Sequence, residues 1–180
     1  MIKVFDKYER WGAYHWLWAL RGNNHWYNRM VEFNLKELPD HGSVLDIGCG
    51  DGLTCARLLD KGLDVTGFDS NTEAIAMARL LVKGARLDVA AVEDIKLDRH
   101  YDYFLAQDVI EHVVDIRPLV DLFNAFCDTF MIISTDIPVK KLGKFEYRSY
   151  SFEELVDAFK PYTVEKLYQF RKVYGVKVSK

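Results

Sequence analysis

Val44-Leu45-Asp46-Ile47-Gly48-Cys49-Gly50-Asp51-Gly52 is an apolar run of strand length that passes directly into three alternating glycines. A helix is expected to begin near Leu53. Glycine lacks a Cβ, so the backbone here can turn sharply and come close to a ligand, and the helix that follows offers free N–H groups to an anionic part of it. The loop lies at the carboxyl end of a buried strand, where open α/β sheets bind ligands. A dinucleotide fingerprint would need glycine at position 53, which is Leu, and Asp46 and Asp51 would repel a pyrophosphate. The pattern counts against NAD and FAD and favours a ligand with a positively charged amino acid end.

The next two signals concern the rest of that ligand. Asp69 ends a second strand-like run about 20 residues past the glycines, where an acid takes ribose hydroxyls. With Ser70 beside it, the same residue also reads as an ordinary acid at a helix start. Glu93-Asp94-Ile95 follows a third run, where a carboxylate would accept from the exocyclic amine of adenine and the Ile95 amide would donate to the ring. A solvated turn is the alternative.

Outward from these signals, strand-like runs at 44–47, 65–68, 86–89, 103–106 and 130–134 alternate with helical patterns. Such alternation predicts an α/β chain with a parallel sheet. Ser70 or Asn71 is expected to cap one helix, Asp115 with Pro118 to start another, and Ser151-Phe152-Glu153-Glu154 to form a capping box. After Pro161 two β-rich segments, broken only at Arg171-Lys172, predict an antiparallel hairpin. The first 42 residues hold all four tryptophans in two helical stretches broken at 21–24, and they read as a helical cap. Trp11, Tyr14, His15 and Trp18 share one helical face there, which either packs on the sheet or roofs the site.

Composition sets outer limits. A chain of 180 residues with 49% hydrophobic and 28% charged residues fits one compact domain. Its net charge of −3 excludes binding to nucleic acid by charge alone. The charged N-terminus and the lack of a long apolar run argue against a signal peptide or membrane insertion, so a cytoplasmic location is expected. Cys49, Cys55 and Cys127 are read as buried thiols rather than a disulfide or zinc framework. Oligomeric state has no signal.

The motifs resemble, in order, those of the class I S-adenosylmethionine-dependent methyltransferases. Residues 44–52 resemble the first motif of that family, Gly67-Phe68-Asp69 the second, residues 91–95 the third, and residues 103–113 the fourth. The resemblance covers about residues 43–180 and implies a Rossmann-like seven-stranded, mostly parallel sheet with an antiparallel last strand. The chain then divides into a helical cap, 1–42, and an S-adenosylmethionine-binding domain, 43–180. The implied cofactor residues are Asp46, Gly48, Cys49, Gly50, Asp69, Ser70, Glu93, Asp94, Ile95 and Gln107, with Gln107 against the methionine part. Asp108-Val109-Ile110-Glu111-His112-Val113 most resembles the ubiquinone-biosynthesis type of small-molecule O-methyltransferase. Arg29 is similarly placed to an arginine that reaches the cofactor in those enzymes.

Methyl transfer from a sulfonium needs alignment and exclusion of water more than a covalent catalyst. His112 is the candidate base for a hydroxyl acceptor; alternatively, Asp108, Glu111 and His112 form a site for a divalent metal ion. The expected partner is a small-molecule acceptor held by the cap and the 135–150 loop. Lys140, Lys141, Lys144 and Arg148 would suit an anion, and Trp11, Tyr14 and Tyr147 a ring. The competing functions are methylation of RNA or protein, a catalytically silent cofactor-binding subunit, and nicotinamide redox chemistry.

Overall fold

A computed structural model describes residues 5–180, so residues 1–4 of the expected cap and of the charged N-terminus lie outside the described residues. Seven strands form one sheet: β1 (Ser43–Ile47), β2 (Asp64–Asp69), β3 (Arg86–Val89), β4 (Tyr101–Gln107), β5 (Cys127–Asp136), β6 (Thr163–Phe170) and β7 (Val173–Ser179). Their order across the sheet is β3-β2-β1-β4-β5-β7-β6. β1 through β5 pair in parallel, and β7 lies antiparallel between β5 and β6. All five expected strands and the hairpin are present. Arg171-Lys172 makes the hairpin turn, and Arg171 takes the left-handed φ of 51°.

The central strands are mostly apolar because both of their faces are covered. Leu45 and Ile47 point to one core with Phe104, Ala106, Met131 and Ile133, closed by Leu119, Phe123 and Leu155 of helices α6 (Arg117–Phe126) and α7 (Phe152–Ala158). Val44, Val65, Leu105 and Ile132 point to the other, closed by Cys55, Leu58, Ile75 and Ala78 of α4 (Leu53–Asp60) and α5 (Thr72–Leu81). The three cysteines are free and buried. No helix among the described residues is long and apolar enough to cross a membrane.

Helix ends follow local chemistry. Asn71, and not Ser70, caps α5 by accepting from the Ala74 amide, and Ser151 and Glu154 form the expected reciprocal box at α7. Asp115 accepts from the Arg117 amide, but Ile116 is the residue at the helix boundary, so the expected cap falls one residue outside.

The N-terminal segment differs more from expectation. Three helices are present in place of two helical stretches: α1 (Lys7–Trp11), α2 (Tyr14–Ala19) and α3 (Trp26–Glu37). Gly12, with φ 60°, turns the chain between α1 and α2. The Trp11–Trp18 face is therefore divided. Trp11 ends α1 and is 54% exposed, whereas Tyr14 and His15 are buried.

Candidate functional site

A cleft of about 620 Å³ opens at the carboxyl ends of β1, β2 and β4. Gly48, Asp69, Ser70, Glu93, Gln107 and Asp108 line its strand side. Phe5, Tyr8, Tyr14, His15 and Tyr27 from the N-terminal segment form the opposite side, and His112, Phe145 and Tyr147 complete the wall. Trp11 is absent from the lining.

The glycine loop is held against β2. Phe68 O accepts from the amides of Gly48 and Cys49 at 2.7 and 3.0 Å. Gly48 and Gly50 have φ of 75° and 56°, a left-handed backbone that side-chain-bearing residues rarely adopt. Asp69 accepts from the amides of Gly50 and Asn71, both at 2.8 Å, so one carboxylate ties the loop to the start of α5. Burial pushes its carboxyl up, and the two amides partly offset that. Two donors leave lone pairs of this carboxylate for a ligand.

The other two acids of the first motif do not face the cleft. Asp46 lies beneath the loop at 1% exposure, where it accepts from the Cys55 thiol at 3.3 Å. Burial raises its carboxyl to about 7. Asp51 is wholly buried and turned toward α2: it accepts from His15 N at 3.0 Å and lies 3.1 Å from His15 Nδ1, while its carbonyl accepts from Trp16 Nε1 at 2.9 Å. The expectation that Asp46 contacts the cofactor is thus corrected, since its carboxyl lies outside the cleft lining. Asp51 is occupied in fastening the helical segment onto the glycine loop, and a contact 36 residues long has no local sequence signal.

Because the Asp46 carboxyl is raised in the folded state above its unfolded value near 3.9, its contribution to stability is complete below about pH 4 and is lost as pH rises toward 7. Asp46→Asn should remove that loss. Urea denaturation at pH 5 and pH 8 should show the variant gaining on the wild type by about 1–3 kcal/mol at the higher pH. A difference independent of pH would remove Asp46 as its source.

The remaining expected residues divide. Ser70, Glu93 and Gln107 line the cleft with Gly48 and Asp69, whereas Cys49 and Ile95 are packed in the cores and Asp94 is exposed beside Glu93. Arg29 is on α3 away from the cleft, its guanidinium 4.9 Å from the centre of the Phe170 ring. The helical geometry of α3 turns it to the sheet edge, which corrects the expected cofactor contact. Of the basic cluster, Lys144 pairs with Asp6 at 3.3 Å and Arg148 with Glu154 at 2.7 Å. An unexpected cation, Lys7, lies 4.9 Å from the Phe5 ring and 5.7 Å from the Phe145 ring at the mouth.

Asp108, Glu111 and His112 come together after β4, each offering a ligand atom within 4.8 Å of the others. Asp108 adopts φ 56°, a sparsely populated conformation of the sort found at functional sites. The His112 Nδ1 lies 3.1 Å from Phe145 O, so Nδ1–H donates there, which in a neutral imidazole leaves the lone pair on Nε2. Glu111 is 1% exposed; its Oε1 accepts from the Asp136 amide at 3.4 Å, and its Oε2 is buried with no partner among the described residues. Burial, then the Asp108 charge, hold the Glu111 carboxyl well above its ordinary value, and burial raises Asp136 to about 6.

A profile described as a methyltransferase domain matches residues 15–175. The chain belongs to this family, the S-adenosylmethionine-dependent methyltransferases. The methyltransferase domain is 39% identical over 115 residues to the ubiquinone biosynthesis O-methyltransferase of Bradyrhizobium diazoefficiens, a match that covers 59% of this chain and 46% of that protein. The chain spans half or less of the length of such curated relatives. Among solved structures, the domain is similar to a TehB-like methyltransferase from Corynebacterium glutamicum (TM-score 0.75, 19% identity, 96% of this chain and 97% of that one). It is also similar to a chain from the complex of a Haloferax volcanii methyltransferase with its Trm112 activator (TM-score 0.77, 14% identity, 98% of each chain). These two likenesses concern the fold.

Proposed function

We propose that this methyltransferase domain transfers the methyl group of S-adenosylmethionine to a hydroxyl of a small, ring-bearing molecule in the cytoplasm. The observation that carries the reading is the continuity of the cleft. Its strand side offers a close backbone at Gly48 and acids at Asp69 and Glu93, and its other side offers Phe5, Tyr14, Phe145 and Tyr147 to a ring. The volume suits a small-molecule site, for which about 300–1,000 Å³ is usual. The name of the curated relatives, O-methyltransferase, supports an oxygen acceptor.

In this reading Asp69 takes the ribose hydroxyls, Glu93 faces the adenine and Gln107 the methionine end. The helices before β1 roof the site and exclude water. As the acceptor oxygen forms its bond to the methyl carbon, the carbon–sulfur bond breaks with its electron pair going to sulfur, and the hydroxyl proton passes to His112 Nε2. The His112–Phe145 hydrogen bond supports this by holding the neutral imidazole in the required tautomer.

The orphaned, buried Glu111 Oε2 favours a second reading of the same wall. Asp108, Glu111 and His112 are a donor set that fits a divalent cation, which would supply Lewis-acid polarisation of the acceptor oxygen.

Incubation with methyl-labelled S-adenosylmethionine and a panel of phenols and alcohols should place label on an oxygen. Label recovered only in RNA or protein would select the macromolecular alternative. Tight binding of S-adenosylhomocysteine without turnover on any acceptor would select a silent subunit. Asp69→Ala should weaken S-adenosylhomocysteine binding at least tenfold, because hydrogen bonds to a charged group contribute about 1.5–3 kcal/mol each. Unchanged affinity in a folded variant, read by calorimetry, would take Asp69 out of the site.

A further inference from the structure

Gln107 is only 6% exposed, yet it reaches the cleft, and the rest of its amide is committed to a polar network that the proposed reaction does not use. Its Oε1 accepts from Asn34 Nδ2 at 2.6 Å, and its Nε2 donates to Thr54 Oγ1 at 2.9 Å. Asn34, on α3 and 1% exposed, is itself held on both sides: Nδ2 also donates to Ser134 Oγ at 2.7 Å, and Oδ1 accepts from the Tyr168 hydroxyl at 2.8 Å. Ser134 Oγ and Tyr168 Oη, 2.8 Å apart, close a ring in which the serine hydroxyl donates to the tyrosine oxygen.

The sheet is built to allow this. Gln107 pairs with Ser134, Ser134 with Gly175, and Gly175 with Tyr168, so the residues form one row across β4, β5, β7 and β6. A Cβ on Gly175 would collide with the Tyr168 ring. Glycine at that position lets the tyrosine cross β7 and reach Ser134 and Asn34. A register shift between Lys166 and Tyr168 brings Tyr168 opposite Gly175.

The consequence concerns which half of the Gln107 amide is left over. An amide has two N–H donors and one carbonyl oxygen. Here the oxygen is taken by Asn34 and one N–H by Thr54, leaving the second N–H without a partner among the described residues. A carboxylate is the ligand group that such a donor suits.

We infer that Asn34 is a positioning residue for the amino acid end of S-adenosylmethionine: by donating to Gln107 Oε1 it fixes the amide so that the cleft is offered an N–H for the cofactor's carboxylate. This rests on the cofactor placement proposed above. Asn34 touches neither cofactor nor acceptor in this assignment. Its effect passes through Gln107.

The test compares two ligands that differ only in that carboxylate, S-adenosylmethionine and decarboxylated S-adenosylmethionine, by calorimetry. Asn34→Asp replaces the donor with an acceptor and turns the Gln107 amide over. It should weaken S-adenosylmethionine at least tenfold and change the decarboxylated ligand less than twofold. Gln107→Glu should show the same selectivity, since it sets one carboxylate against another. If Asn34→Asp fails to fold, Tyr168→Phe, which removes only the hydroxyl that holds Asn34, should give a selective loss of about threefold. Equal losses for both ligands, or no loss for either, would overturn the positioning role while leaving the cofactor site in place. A wild-type protein that binds neither ligand would overturn the cofactor placement and this inference with it.

Discussion

His112→Ala is expected to lower turnover by roughly 10²–10⁴-fold while leaving S-adenosylhomocysteine affinity within about twofold. The size follows from the loss of a positioned proton acceptor, and the split between rate and affinity follows from geometry. The imidazole sits on the wall after β4, with Nδ1 bonded to Phe145 O, rather than on the glycine loop or beside Asp69. The two readings of this wall separate on further measurements. If the imidazole acts as a base, Glu111→Gln has a small effect and a chelator has none. If Asp108, Glu111 and His112 hold a cation, chelator abolishes activity, added Mg²⁺ restores it, and Glu111→Gln copies the histidine variant. Burial and then Asp108 favour the neutral Glu111 carboxyl and a bound cation would favour the carboxylate, so titration with Mg²⁺ should release protons to the buffer. Activity that survives both His112→Ala and chelation would leave catalysis to alignment alone.

Gly50→Val is the other change with a large expected effect. Gly50 has φ 56°, where a residue with a Cβ pays about 1–2 kcal/mol, and a Cβ there would collide with the Tyr8 hydroxyl. Tyr8 cannot easily yield, because it is buried and stacked on Tyr14 with ring centres 5.1 Å apart. Overpacking of this kind costs roughly 1–3 kcal/mol more. The Gly50 amide would also move off Asp69, which it meets at 2.8 Å. The variant should melt well below the wild type, and any folded fraction should bind S-adenosylhomocysteine at least 100-fold more weakly, which is near the low end of what two lost charge-assisted bonds of about 1.5–3 kcal/mol each supply. A variant that melts and binds like the wild type would mean that the loop does not carry the cofactor. Gly50→Ala should fall between the two, since it keeps the backbone penalty and drops the branched side chain.

The parts of this fold that were legible in the sequence are those whose cause is local. Two covered faces favour a mostly apolar strand, so β1 and β4 stand out in the chain despite Asp46 and Gln107, and a serine three residues before a glutamate marks α7 because the two groups bond to each other's backbone. Gly48 and Asp69 belong with them, since motif and spacing are enough to bring both to the cleft. Where the cause is distant, sequence is mute. Asp51 meets His15 across 36 residues, and Asn34 meets Ser134 across 100, with nothing at either end to announce the partner. Arg29 was misplaced because its separation along the chain carries no information about which face of α3 it occupies. The division of the Trp11–Trp18 run at Gly12 was hidden because a period of 3.6 persists in the letters even where the helix does not. Glu111 read as one acid among several in a short stretch, and only the fold reveals that it is buried.

The fastening of His15 to Asp51 also governs how this enzyme could be diversified. Acceptor range is commonly sought by exchanging the segment that roofs a catalytic chamber, as though it were a detachable part. In this chain the anchor of the N-terminal segment belongs to the glycine loop, and Asp51 has no solvent exposure with which to replace a missing donor. A transplanted roof lacking the histidine would leave a buried acid short of hydrogen bonds, at a cost of about 1–3 kcal/mol or more. Chimeras should therefore carry residues 15 and 51 as an inseparable pair, and selection for new acceptors has freer play at Phe5, Tyr14 and Tyr147, which line the cleft.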